Sequence, residues 1–90
     1  MKTIEKKVWP EYFQKILEGS KTFELRLNDF DIEEGDKFVL KEWDPNVKEY
    51  TGRVLEKIVG YVGKWKFDDL TIFWPEQEIR DNGIQVISLK

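Results

Sequence analysis

The stretch WPEYFQKILEGSKTFELRLND, residues 9–29, contains a change of hydrophobic period on which the predicted fold depends. Its first half predicts a helix, because Pro10 suits the first helical position and the apolar residues after it recur on one helical face. Gly19 then supplies the left-handed backbone conformation that commonly ends a helix. From Lys21 the period changes to two, which predicts a half-buried strand over residues 21–27.

Three charged side chains lie close together in this predicted strand. Alternation puts Thr22, Glu24 and Arg26 on one face of it. Lys21 lies where the helix meets the strand. Because residues two apart along a strand are separated by about 7 Å, Glu24 can contact Lys21, Arg26 or both. Alternation alone favours an exposed polar face whose ion pair contributes less than about 1 kcal/mol.

The other strands are predicted from apolar runs at residues 4–8, 37–43, 49–62 and 84–89. Turn residues occur between the runs at positions 34–36, 44–46 and 81–83. The turn at 44–46 predicts that the second and third runs form a hairpin. Gly52 and Gly60 predict bulges or bends in the third run. Residues 64–80 mix four aromatic side chains with acidic residues and one proline, and no element is predicted there.

The resulting element order is β-α-β-β-β-loop-β, within one domain over residues 1–90. We expect an α+β, mostly β fold: a small pseudo-barrel of about five mainly antiparallel strands, with one helix after the first strand plugging one end. A chain of this length buries only about 60–65% of its unfolded surface, so it has one modest core.

The composition excludes several classes of function. Neither cysteine nor histidine occurs, which excludes a disulfide scaffold, thiolate metal sites and histidine-dependent catalysis. No stretch approaches the roughly 20 apolar residues of a membrane span. The first residues contain no apolar segment of a signal peptide, so we expect a cytoplasmic protein that needs no cofactor.

The charge is acidic overall but uneven along the chain. The formal net charge is −3, which argues against a broad nucleic-acid-binding face. Residues 1–26 carry a net charge of +2 and residues 51–67 a net charge of +3, so these segments together could form a local basic site. The acidic residues between them lack the spacing of a calcium loop, and no metal site is predicted at Asp29, Asp31, Glu33 and Glu34.

The charged segment resembles a known motif. Gly19, Lys21, Glu24 and Arg26 match the GxKxxExR pattern of ASCH domains, which belong to the PUA-like superfamily of small pseudo-barrels. The segments WPEYF, GSKTFELRLND, EGDKFVLKEWD and YTGR, in this order, resemble the small bacterial and phage ASCH-like family of uncharacterised function. The resemblance covers residues 5–62. It implies a PUA-like fold with a cleft, lined by the three charged side chains, where ASCH domains are proposed to bind RNA or modified nucleotides.

The same family motifs contain Asn28, Asp29 and Arg53, which the resemblance adds to the binding site. Two positions depart from the family pattern. Ile4 stands where the family commonly has histidine, and Phe30 stands where it has arginine. A mechanism that requires that histidine is therefore unavailable here, and the binding surface has one cation fewer.

The first functional hypothesis is a module that binds RNA, single-stranded nucleic acid or a nucleotide. Lys21, Arg26 and Arg53 would contact phosphate, which arginine can bind with two hydrogen bonds. Glu24 would accept hydrogen bonds from a base or orient the cations. Trp9, or an aromatic side chain of residues 65–74, could stack on an unpaired base, although most aromatic residues in so short a chain belong to the core.

Two alternatives remain open at this point. One ASCH branch hydrolyses the acetyl amide of N4-acetylcytidine and reads GxKTxTxR, so its threonine falls where Glu24 stands here. If this chain is an enzyme, Lys21, Thr22 and Glu24 would carry the reaction, and no catalytic residue is assigned otherwise. The other alternative is a protein-interaction domain of a phage or bacterium, for which the acidic residues 29–36 could serve.

Overall fold

The computed structural model describes residues 1–87, and they contain three strands and three helices. The strands are β1 (Thr3–Val8), β2 (Lys37–Asp44) and β3 (Glu49–Ile58). The helices are α1 (Pro10–Leu17), α2 (Phe67–Leu70) and α3 (Glu76–Asn82). Among the helices of residues 1–87, none is both long and apolar enough to cross a lipid bilayer.

The strands form one open sheet in the order β1-β2-β3. β2 lies in the middle, parallel to β1 and antiparallel to β3, so that Lys37 is paired with Thr3 on one side and Ile58 on the other. A parallel pair needs a long crossover connection, which α1 and residues 18–36 supply. The antiparallel pair confirms the hairpin that the turn at residues 44–46 predicts.

One face of this sheet packs against α1 to form the core. Phe38 and Leu40 alternate along β2 and meet Phe13 and Ile16 of the helix. Val8 and Ile32 complete the buried cluster. Phe13 is 1% exposed, and no larger side chain of residues 1–87 is buried as completely. The helical period of α1 and the strand period of β2 therefore direct the apolar side chains of both elements to one interface.

A bulge in β3 determines what faces Glu42. The pairing moves from Lys41 with Val54 to Trp43 with Tyr50, so β3 has two more residues than β2 across this step. Gly52 lies at the centre of the bulge with φ 95°, a conformation that glycine adopts at little cost. The bulge that Gly52 predicts is therefore confirmed.

The predicted barrel, and with it the PUA-like pseudo-barrel that the resemblance implies, is wrong for the described residues. Three strands form an open sheet, and β1 and β3 are its two edges. Closure would require further strands to pair with these edges. Residues 21–27 and 84–87 lie outside the sheet. Positions 88 and 89, at the end of the last predicted strand, lie outside the described residues.

The strand predicted over residues 21–27 is wrong for a physical reason. The alternating apolar side chains do not reach the core, since Leu25 is 76% and Leu27 80% exposed. Alternation places side chains on two faces but does not supply the neighbouring backbone that a strand must pair with. The segment is held instead by side-chain contacts, including a hydrogen bond from Arg26 Nη2 to the Lys7 carbonyl oxygen at 2.6 Å.

The prediction of a single helix is also wrong. The helix that begins at Pro10 is present, but residues 64–80, where no element was assigned, contain α2 and the start of α3. Acidic residues in the first turns of α2 and α3 complement the N-terminal dipole of each helix. These residues are the sequence signal that indicates the two helices. The turn predicted at residues 81–83 is the end of α3, where Gly83 has φ 72°.

The loop before β2 is joined to β1 by a buried carboxylate. Asp36 is 5% exposed and accepts hydrogen bonds from the backbone N–H groups of Lys2 (3.1 Å) and Glu33 (2.9 Å). These bonds to the charged form lower the pKa of Asp36, against the opposing effect of burial.

Asp36→Asn is expected to destabilise the protein at neutral pH and to have a smaller effect in acid. The folded-state pKa of Asp36 lies below its ordinary 3.8, so the ionised carboxylate stabilises the fold fully above that pH. This contribution is lost as the pH falls through the lower folded-state pKa. Urea denaturation of both proteins at about pH 7 and about pH 2.5 measures the difference. A difference independent of pH would contradict the prediction; Asp29→Asn, in an exposed carboxylate, is the matched control.

Candidate functional site

Lys21, Glu24 and Arg26 form one hydrogen-bonded cluster. Lys21 Nζ donates to Glu24 Oε1 at 2.9 Å, and Arg26 Nε donates to Glu24 Oε2 at 2.9 Å. Each carboxylate oxygen therefore holds one cation. The side chains are 18%, 20% and 30% exposed respectively, so the cluster is half-buried rather than fully solvated. We refer to these three residues as the charged cluster.

The backbone around the charged cluster is held at both ends. The Lys21 backbone N–H donates to the Lys15 carbonyl oxygen of α1 at 3.0 Å, which continues the helix end at Gly19. Gly19 has φ 83°, which confirms the left-handed position predicted there. At the other end, Arg26 donates a hydrogen bond to the Lys7 carbonyl oxygen, near the end of β1. The cluster is therefore fixed between α1 and β1.

A cleft of about 400 Å³ lies beside the charged cluster, and we call it the basic cleft. It opens between residues 19–32 and residues 57–64, and its floor contains core side chains such as Phe38 and Leu40. A cleft of this volume suits one small organic molecule. Its walls are largely apolar, with the charged groups at their edge.

The charges that line the basic cleft are mostly positive. Lys57 and Lys64 line the cleft together with Lys21 and Arg26, and Glu24 is the one acidic residue among the lining residues that the structure describes. This gives a local net charge of +3 in a chain whose total is −3. Sequence reasoning did not name Lys57 or Lys64, although both belong to the basic segment 51–67.

The other predicted site residues of the GSKTFELRLND segment divide between the basic cleft and its surroundings. Thr22 and Asn28 line the cleft. Asp29 is exposed and is not among the lining residues. Phe30 lines the cleft at the position where the ASCH-like pattern has arginine. Lys6 Nζ lies 4.0 Å from the centre of the Phe30 ring. A lysine of β1 therefore brings a cation close to this position.

Arg53 lies away from the charged cluster, in the bulge of β3. Its guanidinium donates from Nε and Nη2 to the two carboxylate oxygens of Glu42, at 3.0 and 2.8 Å. It also lies 4.7 Å from the centre of the Phe13 ring. Thr51 Oγ1 donates to Glu42 as well, at 2.5 Å. The structure thus does not bring Arg53 to the other predicted site residues, but pairs it with a carboxylate beneath α1.

This pairing changes the acidity of Glu42. The hydrogen bonds from Arg53 lower the pKa of Glu42, and the hydrogen bond from Thr51 adds a smaller effect in the same direction. Burial acts in the opposite direction but does not outweigh them. The Glu42 side chain is 5% exposed. A buried glutamate in a strand of apolar residues was the sequence signal for this pair, and the partner could not be identified without the bulge.

A second cleft, of about 500 Å³, also borders the charged cluster. The charged cluster and Phe23 line both clefts, and Trp9 and Tyr12 line only the second. The two aromatic rings are stacked, with centroids 6.5 Å apart and planes at 27°. We call this the aromatic cleft. Trp9 is therefore close to the charged cluster, whereas residues 65 and 67 line neither cleft.

Metal ligands are not grouped in the described part of the chain. Within residues 1–87, no three aspartate or glutamate side chains are arranged to hold a metal ion. The acidic residues at positions 29–34, Asp29, Asp31, Glu33 and Glu34, are all exposed, and Asp31 forms an ion pair with Lys2 at 2.7 Å.

Comparisons with known proteins identify a family and a phage relative. A protein of Escherichia phage P2, described as "Uncharacterized 12.9 kDa protein in GpA 3'region", is 42% identical over 55 residues, which are 61% of this chain and 49% of that protein. The chain therefore spans about half the length of this relative. No solved structure matches the chain. Residues 3–72, which include all three strands, α1 and the charged cluster, match one family along most of the chain. The chain thus belongs to the family described as Domain of unknown function (DUF3850).

Proposed function

We propose that the basic cleft binds a nucleotide, either free or as one unit of a short single-stranded RNA. The observation that carries this proposal is the concentration of four basic side chains on one apolar-walled cleft of an acidic protein. Such a cleft matches a ligand with an anionic group and a flat apolar body. The likeness of the charged cluster to the ASCH motif, at which nucleotide or RNA binding is proposed, supports the same class of ligand.

The charged cluster suits phosphate because its cations are already oriented. Lys21 carries three N–H donors, of which one is directed at Glu24 and one at the Phe23 carbonyl oxygen, 2.6 Å away. Arg26 is held through Nε and Nη2. Orientation before binding lowers the entropy that a ligand must remove from the side chains. Glu24 is then a positioning residue, which holds both cations at the edge of the cleft.

The hydrolase alternative has no specific observation in its favour. The contacts of Lys21 Nζ are with two acceptors, a carboxylate and a carbonyl oxygen, which suit a protonated ammonium group. A catalytic lysine base would need a free electron pair. Glu24 also occupies the position of the threonine in the hydrolysing branch. We therefore expect no release of cytidine when the protein is incubated with N4-acetylcytidine.

Lys21→Ala and Arg26→Ala are each expected to weaken nucleotide binding by about 10- to 100-fold. Each substitution removes a hydrogen bond between a charged donor and phosphate, a contact that contributes about 1.5–3 kcal/mol. Calorimetric titration of the purified protein with each of the four ribonucleoside 5′-monophosphates, and with a random-sequence RNA hexamer, measures the effect at low salt.

Two matched controls separate the cleft from overall charge. Lys15→Ala removes a lysine of α1 that pairs with Glu18, the residue after the helix, and Arg80→Ala removes an arginine that pairs with Glu76 on α3. Both lower the net charge by the same amount as the test variants, and both should bind like the wild type. Equal weakening in controls and test variants would contradict a specific site. Absence of binding to all monophosphates and to the hexamer would overturn the proposal itself.

A further inference from the structure

We infer that the ligand is a single strand of at least two nucleotides, which places one unit in the basic cleft and stacks the next base on Trp9 in the aromatic cleft. This inference rests on the proposed function and adds to it the minimum length of the ligand. It assigns a binding role to the aromatic cleft, which a free mononucleotide in the basic cleft would leave empty.

The two clefts meet at the charged cluster. Lys21, Glu24 and Arg26 line both of them, so the charged cluster is a shared wall rather than the end of one site. A strand that crosses this wall carries its phosphodiester there. The two cations of the wall would face that single negative charge, and the carboxylate between them already separates and holds them at 2.9 Å on each side.

The aromatic cleft offers exposed rings next to cations. Trp9 and Tyr12 are each 48% exposed, so neither ring is buried in the core and both can contact a ligand. A stacked aromatic pair beside cations is the arrangement that binds unpaired bases without regard to sequence. Without a bound base, the exposed apolar surface of these two rings remains in contact with water.

Trp9 is held at the start of α1. Its carbonyl oxygen accepts hydrogen bonds from the N–H groups of Tyr12 (3.1 Å) and Phe13 (2.9 Å), so its backbone forms the start of α1. Tyr12 supports one side of its ring. Phe13 anchors the same helical turn in the core. The indole is therefore presented on a fixed element, and stacking a base on it removes little additional freedom.

Affinity as a function of ligand length tests the inference. The wild type should bind RNA dinucleotides about 5- to 150-fold more tightly than the corresponding 5′-monophosphates, because stacking on one aromatic side chain has this effect per base. Trp9→Ala should lose that gain and keep the wild-type affinity for monophosphates. Trp9→Phe, which retains a ring, should keep most of the gain. Calorimetric titration with monophosphates and with di-, tri- and hexanucleotides supplies the comparison.

The control is Trp74→Ala. Trp74 has a similar exposed fraction, 47%, but lines neither cleft, so this variant should keep both affinities. Far-ultraviolet circular dichroism shows whether each variant retains its helices.

Three results would overturn the inference while the proposed function survives: no gain from the second nucleotide in the wild type, equal weakening of monophosphates and dinucleotides by Trp9→Ala, or loss of the gain in Trp74→Ala. If neither monophosphates nor oligonucleotides bind, the proposed function and the inference both fail.

Discussion

Replacing Phe13 with alanine is expected to lower the free energy of unfolding by about 3–5 kcal/mol, as truncation of a buried phenylalanine usually does. Phe13 is 1% exposed and joins α1 to the core side chains of β2. The Arg53 guanidinium carbon also lies 4.7 Å from the centre of the Phe13 ring. The cost combines the lost transfer of the ring from water with the cavity that remains. Small domains are stable by only about 5–15 kcal/mol, so this one change removes a large part of the total.

Urea denaturation followed by circular dichroism measures this effect, and two variants serve as its controls. Phe13→Leu keeps most of the side-chain volume and should cost much less. Leu17→Ala truncates an apolar side chain of the same helix that is 46% exposed, and its cost should also be small. If Phe13→Ala cost no more than Leu17→Ala, the position of α1 on the sheet would be contradicted.

Replacing Arg53 with methionine is expected to lower the melting temperature by roughly 10 °C, because it leaves the Glu42 carboxylate buried without its cation. Glu42 is 5% exposed, and both of its oxygens accept hydrogen bonds from Arg53. The arginine itself is 45% exposed, so the expected effect lies below that of a fully buried pair. Differential scanning calorimetry gives the melting temperature directly.

The double variant Arg53→Met with Glu42→Leu distinguishes a lost pair from an isolated charge. Removing both partners also removes the uncompensated carboxylate, so the double variant should melt well above Arg53→Met alone. Equal melting temperatures of the two would contradict the explanation. Nucleotide titration of Arg53→Met, below its melting temperature, then separates two roles. Wild-type affinity indicates a residue that stabilises the fold, whereas weakening like that of Lys21→Ala indicates a ligand contact, as the resemblance to the ASCH-like motifs implies.

The charged cluster could be predicted from sequence because its members are neighbours in the chain. Lys21, Glu24 and Arg26 span six residues, so almost any extended conformation brings Glu24 within reach of both cations. The prediction of a strand was nevertheless wrong, since contact between these side chains does not require a paired backbone. The other two cations of the basic cleft were not predicted. Lys57 and Lys64 are more than thirty residues away, and only the path of the chain after β3 brings them to the cleft.

The partner of Arg53 could not be predicted from the sequence either. The place of Arg53 in the YTGR segment grouped it with the binding residues, and nothing in the local pattern identified Glu42 as its partner. The pair depends on the bulge at Gly52, which places Thr51 and Arg53 together opposite one residue of β2. Gly52 predicted that a bulge would form, but not which side chains it would direct inward.

By itself, the sequence determined the features that arise within a few residues: α1 and its end at Gly19, the β2–β3 hairpin, and the contacts of the charged cluster. Helical and strand periods, proline, glycine and turn residues encode these locally. The tertiary structure alone decided that the sheet is open, that residues 21–27 stay outside it, and that two clefts share one charged wall. These outcomes depend on which distant backbone and side-chain groups become partners, and hydrophobic period carries no information about the partner.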